Sequence, residues 1–323
     1  MESDIDVVYT WVNGADPKFQ DRLQKYLPKT STSPDQAITG SKRFRDNDEL
    51  RYSLRSLETY APWFHKVYIV TNGQIPQWLD TSNNRVSIIT DDMIFPDNSD
   101  LPTFNSTANE INLHRIPNLS KKFLYLCDDY FFGRATSKND FLTPEGQIIY
   151  FQQIQLHSNM NEGLVHDRAY AYTQNLVEKL WSKSQPRLLP AHSPQLYDRD
   201  IITHLEQMIP DEFREASSHK FRAGNDLSLK VLYSFFMLEH PEQRDLNEAK
   251  TLKDFSHDYC FVSLGGRPLR MLYFFWKIKI LRPKFFCIND DLGDVPANHK
   301  ILLYLRKFLR SYFPHPSSFE LSQ

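Results

Sequence analysis

The sequence predicts an α/β fold, with a mostly parallel sheet in the first half and a largely helical second half. Short apolar segments rich in β-branched and aromatic residues alternate with helical segments over residues 1–150. This alternation is typical of parallel strands that are joined by crossover helices. Longer helical stretches follow over residues 151–323, and we expect the two halves to form one compact unit.

Four predicted strands are short and end in polar residues. The first runs from Ile5 to Trp11 and stops before Asn13-Gly14, a turn signal. The others are the apolar parts of KVYIVTNG, RVSIITDD and KKFLYLCDDYFFG. Parallel strands end at one edge of a sheet, and ligands bind beyond that edge. We therefore expect the amides and carboxylates after these strands to form one rim.

Helices are predicted from the spacing of apolar residues. Leu50, Leu54 and Leu57 share a helix face in a segment with acidic residues at its start and Pro62 beyond its end. Residues 20–41 are polar and are predicted to form a surface connection after a short helix. RPLRMLYFFWKIKILRPKFF is compatible with a strand pair or a helix. Further helices are predicted over residues 108–115, 168–183, 198–208, 226–239 and 300–311.

Composition excludes several classes of protein. The 323 residues carry 38 basic and 40 acidic side chains, so there is no basic excess to attract nucleic acid. Three scattered cysteines cannot build a disulfide framework or a Cys-rich zinc site, and we interpret them as reduced thiols. No apolar stretch reaches the ~18 residues of a membrane span. We expect a soluble chain, either cytoplasmic or cut from a longer targeted protein.

Two predicted strands end in acidic residues that suit a divalent cation. Asp128 and Asp129 follow one strand, and Asn289 with Asp290 follows another. Carboxylate oxygens are hard ligands, and a cation held there would offset phosphate charge. We predict Asp128, Asp129 and Asp290 as metal ligands, with Mg²⁺ expected and Mn²⁺ or Ca²⁺ as alternatives. We also expect Asp129 and Asp290 to lie close together.

Basic and histidine side chains supply the other candidate site residues. Arginines near residue 50 could clamp phosphates, because a planar guanidinium makes paired hydrogen bonds. His192 and His219 lie in polar segments, the latter near Arg222, and a neutral histidine can act as a general base. The amphipathic helix over residues 300–311 fits a core-packed helix better than contact with an anionic membrane surface. Walker, Rossmann and nucleophile-elbow motifs are absent.

Several long segments of the chain resemble the Stealth proteins. DIDVVYTWVNGADP, DNDELRYSLRSLETYAPW, LPTFNSTANEINLHRIPNLSKKFLYLCDDYFFG, PAHSPQLYDRD and FFCINDDLG match that family's conserved regions in order. The family includes bacterial capsule polymerases and the catalytic part of the animal lysosomal-enzyme N-acetylglucosamine-1-phosphotransferase. One position departs from the family pattern, because Cys127 stands where an Asn is frequent.

The resemblance implies a sheet of the nucleotide-sugar transferase type and a transferase activity. A sugar 1-phosphate, expected to be N-acetylglucosamine 1-phosphate, would pass from a UDP-sugar to a hydroxyl of a carbohydrate acceptor, with release of UMP. Asp129, His192, His219 and Arg222 are the implied catalytic residues. The implied UDP-sugar ligands are Trp11, Asn13, Gly14, Asp16, Arg45, Asn47, Glu49, Arg51, Asn72, Arg199 and Asn289.

Two alternatives to this activity stay open at the level of sequence. A metal-dependent glycosyltransferase would break the sugar–phosphate bond and release UDP, whereas a carbohydrate-binding protein would release no nucleotide. The compartment also depends on the source. A bacterial chain would be cytoplasmic or peripheral on the inner membrane, and a fragment of an animal enzyme would lie in the Golgi lumen.

Overall fold

The structure, a computed structural model, describes residues 4–27, 40–156, 158–181, 186–240 and 245–322. Most of the predicted surface connection over residues 20–41 lies outside this range. The strands are β1 (Ile5–Thr10), β2 (Val67–Thr71), β3 (Val86–Thr90), β4 (Lys122–Cys127), β5 (Tyr130–Phe132), β6 (Leu142–Thr143), β7 (Gly146–Gln155), β8 (Leu188–Pro190), β9 (Gln195–Asp198), β10 (Leu246–Leu252), β11 (Tyr259–Leu264) and β12 (Phe285–Asp290).

Helices follow or connect these strands, and most of them coincide with segments of helical periodicity. Within the described residues they are α1 (Pro17–Tyr26), α2 (Glu49–Tyr60), α3 (Ser106–Glu110), α4 (Val165–Trp181), α5 (Arg199–Met208), α6 (Pro210–Ser218), α7 (Leu229–Glu239), α8 (Pro268–Leu281) and α9 (Lys300–Tyr312). The described part of the chain has no helix that is long and apolar enough to cross a bilayer.

A five-stranded sheet with the order β3-β2-β1-β4-β9 lies at the centre of the fold. Strand β1 pairs in parallel with both β2 and β4, and β2 pairs in parallel with β3. Strand β9 alone in this sheet runs antiparallel, against β4. The predicted α/β class and its mostly parallel sheet are therefore confirmed, and the first four strands all end at the same edge.

Both faces of the central sheet are buried. Along β1, Val8 packs on one face while Val7 and Tyr9 pack on the other, and all three are fully buried. Neighbouring β4 repeats the alternation with Phe123 and Leu124. Sheets covered on both sides favour continuous apolar strands, which explains why these segments show no polar alternation in the sequence.

The second half contains the predicted helices and, in addition, strands that extend across residue 150. Strand β7 spans residues on both sides of that position, and β9 adds to the sheet of the first half. Strand β12 pairs with β5 in antiparallel fashion and with β11 in parallel. These ladders join the two halves of the sequence, because each includes strands from both sides of residue 150.

The two apolar segments near the C-terminus are both helices. The aromatic and basic segment RPLRMLYFFWKIKILRPKFF, which is compatible with a strand pair or a helix from its sequence, forms the helix α8. The rings of Phe275 in α8 and Phe308 in α9 stack with centroids 4.8 Å apart. In α9 the apolar side is buried. That helix is core-packed, and its apolar face is therefore not available to a membrane.

Glu320 ties the C-terminal segment to helix α2. Its buried carboxylate accepts hydrogen bonds from Arg55 at 2.6 and 2.7 Å and from Arg51 Nε at 2.5 Å. Burial alone would raise the pKa of Glu320, but hydrogen bonds from Arg55, Arg51 and the Ser317 N–H hold that pKa below its usual value. The buried guanidinium of Arg55 depends on this carboxylate for its charge compensation.

We expect Glu320→Gln to lower the free energy of unfolding by about 3 kcal/mol at pH 7, because it leaves the Arg55 charge buried without a counter-charge. A carboxyl whose pKa is lowered on folding adds stability above its unfolded pKa and loses it as pH falls through the folded pKa. The deficit should therefore shrink below about pH 4. Urea unfolding measures both effects, with exposed Glu145→Gln as the control; an equal effect of the two substitutions would contradict the prediction.

Candidate active site

The site lies at the edge where β1 and β4 end. Asp128 and Asp129 follow β4, and the antiparallel pairing of β5 with β12 brings Asn289 to the same edge. A cavity of about 190 Å³ opens there, at the carboxyl ends of the parallel strands where α/β sheets bind ligands. Its walls include Arg43, Ser106, Glu110, Tyr125, Cys127, Asp129, Tyr130, His166, Tyr170, His192, Arg222, Asp226, Lys230 and Asn289.

Negative charge is concentrated beside this cavity. Burial raises the pKa of Asp129 to about 6, and the charge of Asp290 adds to that increase. Burial also raises the pKa of Asp128, followed by repulsion from Asp129. The Cys287 thiol donates a hydrogen bond of 3.4 Å to Asp129 Oδ2. The two acidic strand ends therefore act on each other, as the sequence predicts from residues far apart in the chain.

Asp46, before α2, and Glu49, the first residue of α2, contribute two further carboxyls to the same region. Burial raises the pKa of Glu49 to about 8 and that of Asp46 to about 6, and the charge of Asp46 adds to the shift of Glu49. Glu49 accepts hydrogen bonds from the backbone N–H of Asn47 at 2.5 Å and from its side-chain amide at 2.9 Å. Arg306 in turn donates to Asn47 Oδ1 at 3.0 Å. Asn47 and Glu49 thus fix the loop that leads into α2.

Arg45 lies on the outer side of the acidic strand end of β12. Its Nη1 is 2.6 Å from Asp290 Oδ2, and its Nη2 donates to the Gly293 carbonyl at 2.5 Å. Asp290 is therefore compensated by a guanidinium, whereas Asp128 and Asp129 carry raised pKa values. An arginine can also bind phosphate oxygens through two N–H groups. Arg45 could therefore release the carboxylate of Asp290 and bind a phosphate group instead.

The side chains at this edge include oxygen donors of the kind that a divalent cation binds. Among the described residues, no group of three or more His, Cys, Asp and Glu side chains is gathered for metal binding. Asp128, Asp129, Asp290 and the amide of Asn289 nevertheless supply hard oxygen atoms. Mg²⁺ typically takes one or two carboxylates and completes its shell with substrate phosphates and water. The donor set fits a cation that binds together with a phosphate ligand.

Cationic side chains line the same cavity as Asp129. Arg222 and Lys230 both line it, and Arg222 Nη2 donates to Ser106 Oγ at 2.8 Å. The charge of Lys230 lowers the pKa of Asp129 and of Glu110, against the larger effect of burial. An anion that enters this cavity would meet Arg222 and Lys230 as well as the carboxyl of Asp129.

His192 is a neutral side chain of the cavity wall. Burial lowers its pKa well below the usual value, and the charges of Lys230 and His166 lower it further. Its ring packs against Phe261 and Tyr130, with centroids 5.2 and 6.4 Å away. A neutral imidazole can accept a proton, although the lowered pKa makes His192 a weaker base than an ordinary histidine.

His219 has a structural partner rather than a place on the cavity wall. Its Nδ1 lies 2.7 Å from Asp226 Oδ1, and this hydrogen bond raises its pKa. Asp226 is buried and also accepts hydrogen bonds from the Ala223 N–H and the Asn105 amide. The pair holds the loop that carries Arg222, so the structure favours a positioning role for His219 over the predicted catalytic one.

The residues after β1 shape the rim by contacts within the protein. Asn13 exchanges two hydrogen bonds with Gln74, at 2.8 and 2.9 Å, which links the ends of β1 and β2. The Asn72 carbonyl accepts from Arg22. The backbone N–H of Trp11 donates to the Val70 carbonyl at 3.0 Å. Trp11, Asn13 and Asn72 therefore lie at the rim, and the contacts described here are all with other residues of the protein.

Three predicted ligands are engaged elsewhere. Asp16 caps helix α1 by accepting from the Phe19 N–H at 2.8 Å. Arg51 is paired with Glu320. Arg199 lies at the opposite edge of the sheet and donates to the Leu119 carbonyl at 2.8 Å, because β9 runs antiparallel to β4 and so ends where β4 begins. Arg199 is therefore corrected from a UDP-sugar ligand to a residue far from the rim.

Glu110, Asp226 and Lys230 are charged residues of the cavity that were not found from the sequence. Lys230 follows the first residue of α7, a helix of otherwise apolar character until Glu239. A lone lysine in such a helix is a usable signal, since charge in an apolar helix needs a partner. Glu110 ends the short helix α3, and nothing in its sequence surroundings distinguishes it from a solvated acid.

Comparison with known families gives the site its context. Models for the four Stealth conserved regions match this chain, and together they include β1, β4, the Arg222 loop and β12. The chain belongs to the Stealth family. The matches cover residues 3–31 for conserved region 1, 43–150 for region 2, 191–239 for region 3 and 277–323 for region 4.

Curated relatives of this Stealth chain are polysaccharide phosphotransferases. The capsular polysaccharide phosphotransferase SacB of Neisseria meningitidis serogroup A is 32% identical over 323 residues, which cover 98% of this chain and 57% of SacB. The exopolysaccharide phosphotransferase CpsY of Mycobacterium leprae is 31% identical over 322 residues. A Streptomyces coelicolor exopolysaccharide phosphotransferase is 29% identical, and the match spans 33% of its length. The chain thus spans between a third and three fifths of these relatives.

Solved structures with a similar fold are more distant. The galactosyltransferase LgtC, in complex with donor and acceptor sugar analogues, has a TM-score of 0.45 at 9% identity and is covered over 97% of both chains. The bifunctional glycosyltransferase WbbM has a TM-score of 0.43 at 9% identity, with 98% of this chain and 50% of WbbM covered. We draw no functional argument from similarities at this level.

Gly14 allows the loop before α2 to approach β1. Its N–H donates to the Phe44 carbonyl at 2.6 Å, and a Cβ at this position would lie 2.5 Å from Phe44 Cβ. We expect Gly14→Ala to lower the free energy of unfolding by about 2 kcal/mol, the usual cost of overpacking. Gly265→Ala is the matched control, since no atom lies within 4 Å of its added Cβ. Chemical unfolding that ranks the two variants equally would contradict this.

Proposed function

We propose that this Stealth chain transfers a sugar 1-phosphate from a UDP-sugar to a hydroxyl of a carbohydrate acceptor. The donor in this proposal is UDP-N-acetylglucosamine, and UMP is the leaving group. One observation carries the proposal: a single cavity combines the acidic strand end of β4 with Arg222, Lys230 and neutral His192. The phosphotransferase activity named for SacB and CpsY agrees with it.

The binding of the donor follows from the distribution of charge. Arg222 and Lys230 would contact the phosphoryl oxygens, because both cations line the cavity and a fork of N–H groups suits phosphate. Asp128, Asp129, Asp290 and Asn289 would hold a divalent cation, for which we propose Mg²⁺. When bound, such a cation neutralises the charge of the diphosphate. Arg45 would supply a further contact to phosphate.

The chemical step is a displacement at the β-phosphorus. The acceptor oxygen forms a new bond to that phosphorus, the bond from the β-phosphorus to the bridging oxygen breaks, and UMP leaves with that oxygen. His192 takes the proton of the acceptor hydroxyl, a role for which its neutral state suits it. Arg222 and Lys230 stabilise the charge on the transferred phosphoryl group.

The nucleotide product distinguishes this proposal from its alternatives. The full chain, incubated with UDP-N-acetylglucosamine, MgCl₂ and a polysaccharide acceptor, should yield UMP in a chromatographic assay. We expect Asp129→Asn to abolish turnover, with a decrease of at least about 10³-fold, because a carboxylate is lost from the diphosphate site. Asp92→Asn, at the exposed end of β3, is the control. UDP as the product would identify a glycosyltransferase, and binding without nucleotide release would identify a carbohydrate-binding protein.

Arg222 tests the role of the fork-shaped cation. Arg222→Lys keeps the positive charge but removes the paired N–H groups, and we expect kcat/KM to fall at least about tenfold. Arg214→Lys, on an exposed turn of α6, should leave kcat/KM unchanged within about twofold. Steady-state kinetics at saturating acceptor measure both variants. Equal activity of Arg222→Lys and the wild type would remove Arg222 from the phosphate site.

A further inference from the structure

Helix α8 exposes an apolar face to solvent. Leu269, Leu272, Tyr273, Trp276 and Ile280 are 40–79% exposed. At ~100° per residue, these five side chains fall within an arc of about 100° on one side of the helix. Soluble proteins rarely leave a contiguous apolar stripe of this kind uncovered. We call these five residues the α8 face.

The opposite side of α8 packs against the rest of the protein. Met271, Phe275 and Ile278 are buried, and Phe275 stacks on Phe308 of α9. Lys279 also donates to Ser311 Oγ at 2.7 Å, at the far end of the same helix pair. The position and orientation of α8 are therefore fixed by its inner side, and the α8 face is left for an external partner.

Basic residues flank the α8 face. Residues 267–284 include six arginines and lysines and no acidic residue, in a chain whose formal charge is -2. On the helix, Lys279 lies on one flank of the stripe, and Lys277 with Arg270 lies on the other, each about 80–100° from its centre. Arg267, Arg270, Lys279 and Arg282 are exposed. Positive charge therefore borders the apolar stripe on both sides.

We propose that the α8 face docks on an anionic lipid bilayer surface, with the helix lying in the plane of the interface. Its leucines and isoleucine would enter the acyl boundary, while Trp276 and Tyr273 would lie at the level of the headgroups, where such rings are enriched. The flanking cations match the negative surface potential of anionic lipids. The cores of protein–protein interfaces are depleted in lysine, which makes a bilayer the better match.

Helix α8 is linked to the candidate active site through the chain. Helix α8 connects β11 to β12, and β12 ends in Asn289 and Asp290 beside the cavity. The contact differs from the one considered for the C-terminal helix, because the apolar side of α9 is buried. The proposal concerns the surface alone and does not depend on which nucleotide sugar the cavity binds.

Vesicle sedimentation of the full chain tests the proposal. We expect binding to phosphatidylcholine vesicles with about 30 mol% phosphatidylglycerol to be at least about tenfold tighter than binding to pure phosphatidylcholine. Trp276→Glu/Ile280→Glu should weaken binding to the anionic vesicles at least about tenfold, since it places two carboxylates in the stripe. Both positions are exposed, at 57% and 63%, so the fold should tolerate the change, as circular dichroism can verify.

The matched control changes two exposed apolar residues elsewhere. Ile154 and Met160 are 54% and 46% exposed and lie outside α8. Ile154→Glu/Met160→Glu should bind anionic vesicles within about twofold of the wild type. Equal binding by the wild type and the α8 variant would overturn the proposal. So would a wild type that binds no vesicles but forms a dimer that Trp276→Glu/Ile280→Glu dissociates in light scattering, because the α8 face would then be a contact between copies.

Discussion

Burial of several carboxyl groups beside one sheet edge is the constraint on which this architecture depends. Asp128 and Asp129 follow β4, Asp290 ends β12, and Asp46 and Glu49 lie just before and at the start of α2. Burial raises the pKa of Asp46, Glu49, Asp128 and Asp129, and the charge of a nearby carboxylate adds to each shift. Such an arrangement is unfavourable for an empty protein, and it is typical of sites that bind a cation or stabilise charge during a reaction.

The surrounding structure keeps these groups together by contacts that compensate part of the charge. Arg45 binds Asp290, Arg306 supports the Asn47 turn, and Lys230 approaches Asp129 from α7. Close approach of the Phe44 loop to Gly14 fixes the position of the Arg45 segment. The cations and the acids come from separate elements, so both halves of the sequence are needed to form the site. This agrees with the strand pairings that join the two halves.

Periodicity and strand ends were enough to predict much of the fold from the sequence. Alternating strand and helix signals predict that β1, β2, β3 and β4 run parallel and that they end at the same edge. They do not predict the direction of β9, because an antiparallel addition leaves no local trace. The position of Arg199, which the family resemblance implies as a ligand, therefore could not be located from the sequence.

The sequence shows the parts of the candidate site that are adjacent in the chain, and it does not show contacts between residues that are far apart in the chain. The Asp128-Asp129 pair and the acidic end of β12 are visible as motifs, and the structure brings both to one region. Arg51 and Glu320 are 269 positions apart in the chain, so their ion pair could not be predicted from the sequence. Lys230 and Glu110 are single charges outside any motif, so only packing reveals that they face the cavity.

The central claim is that the acidic strand ends hold a cation together with the diphosphate of the donor. Crystals of the full chain with Mn²⁺ and UDP-N-acetylglucosamine would test it by anomalous scattering. The claim predicts a manganese peak within about 2.5 Å of an Asp129 carboxylate oxygen, in contact with the phosphates. A nucleotide sugar bound in the cavity with no manganese peak beside Asp128, Asp129 or Asp290 would contradict it.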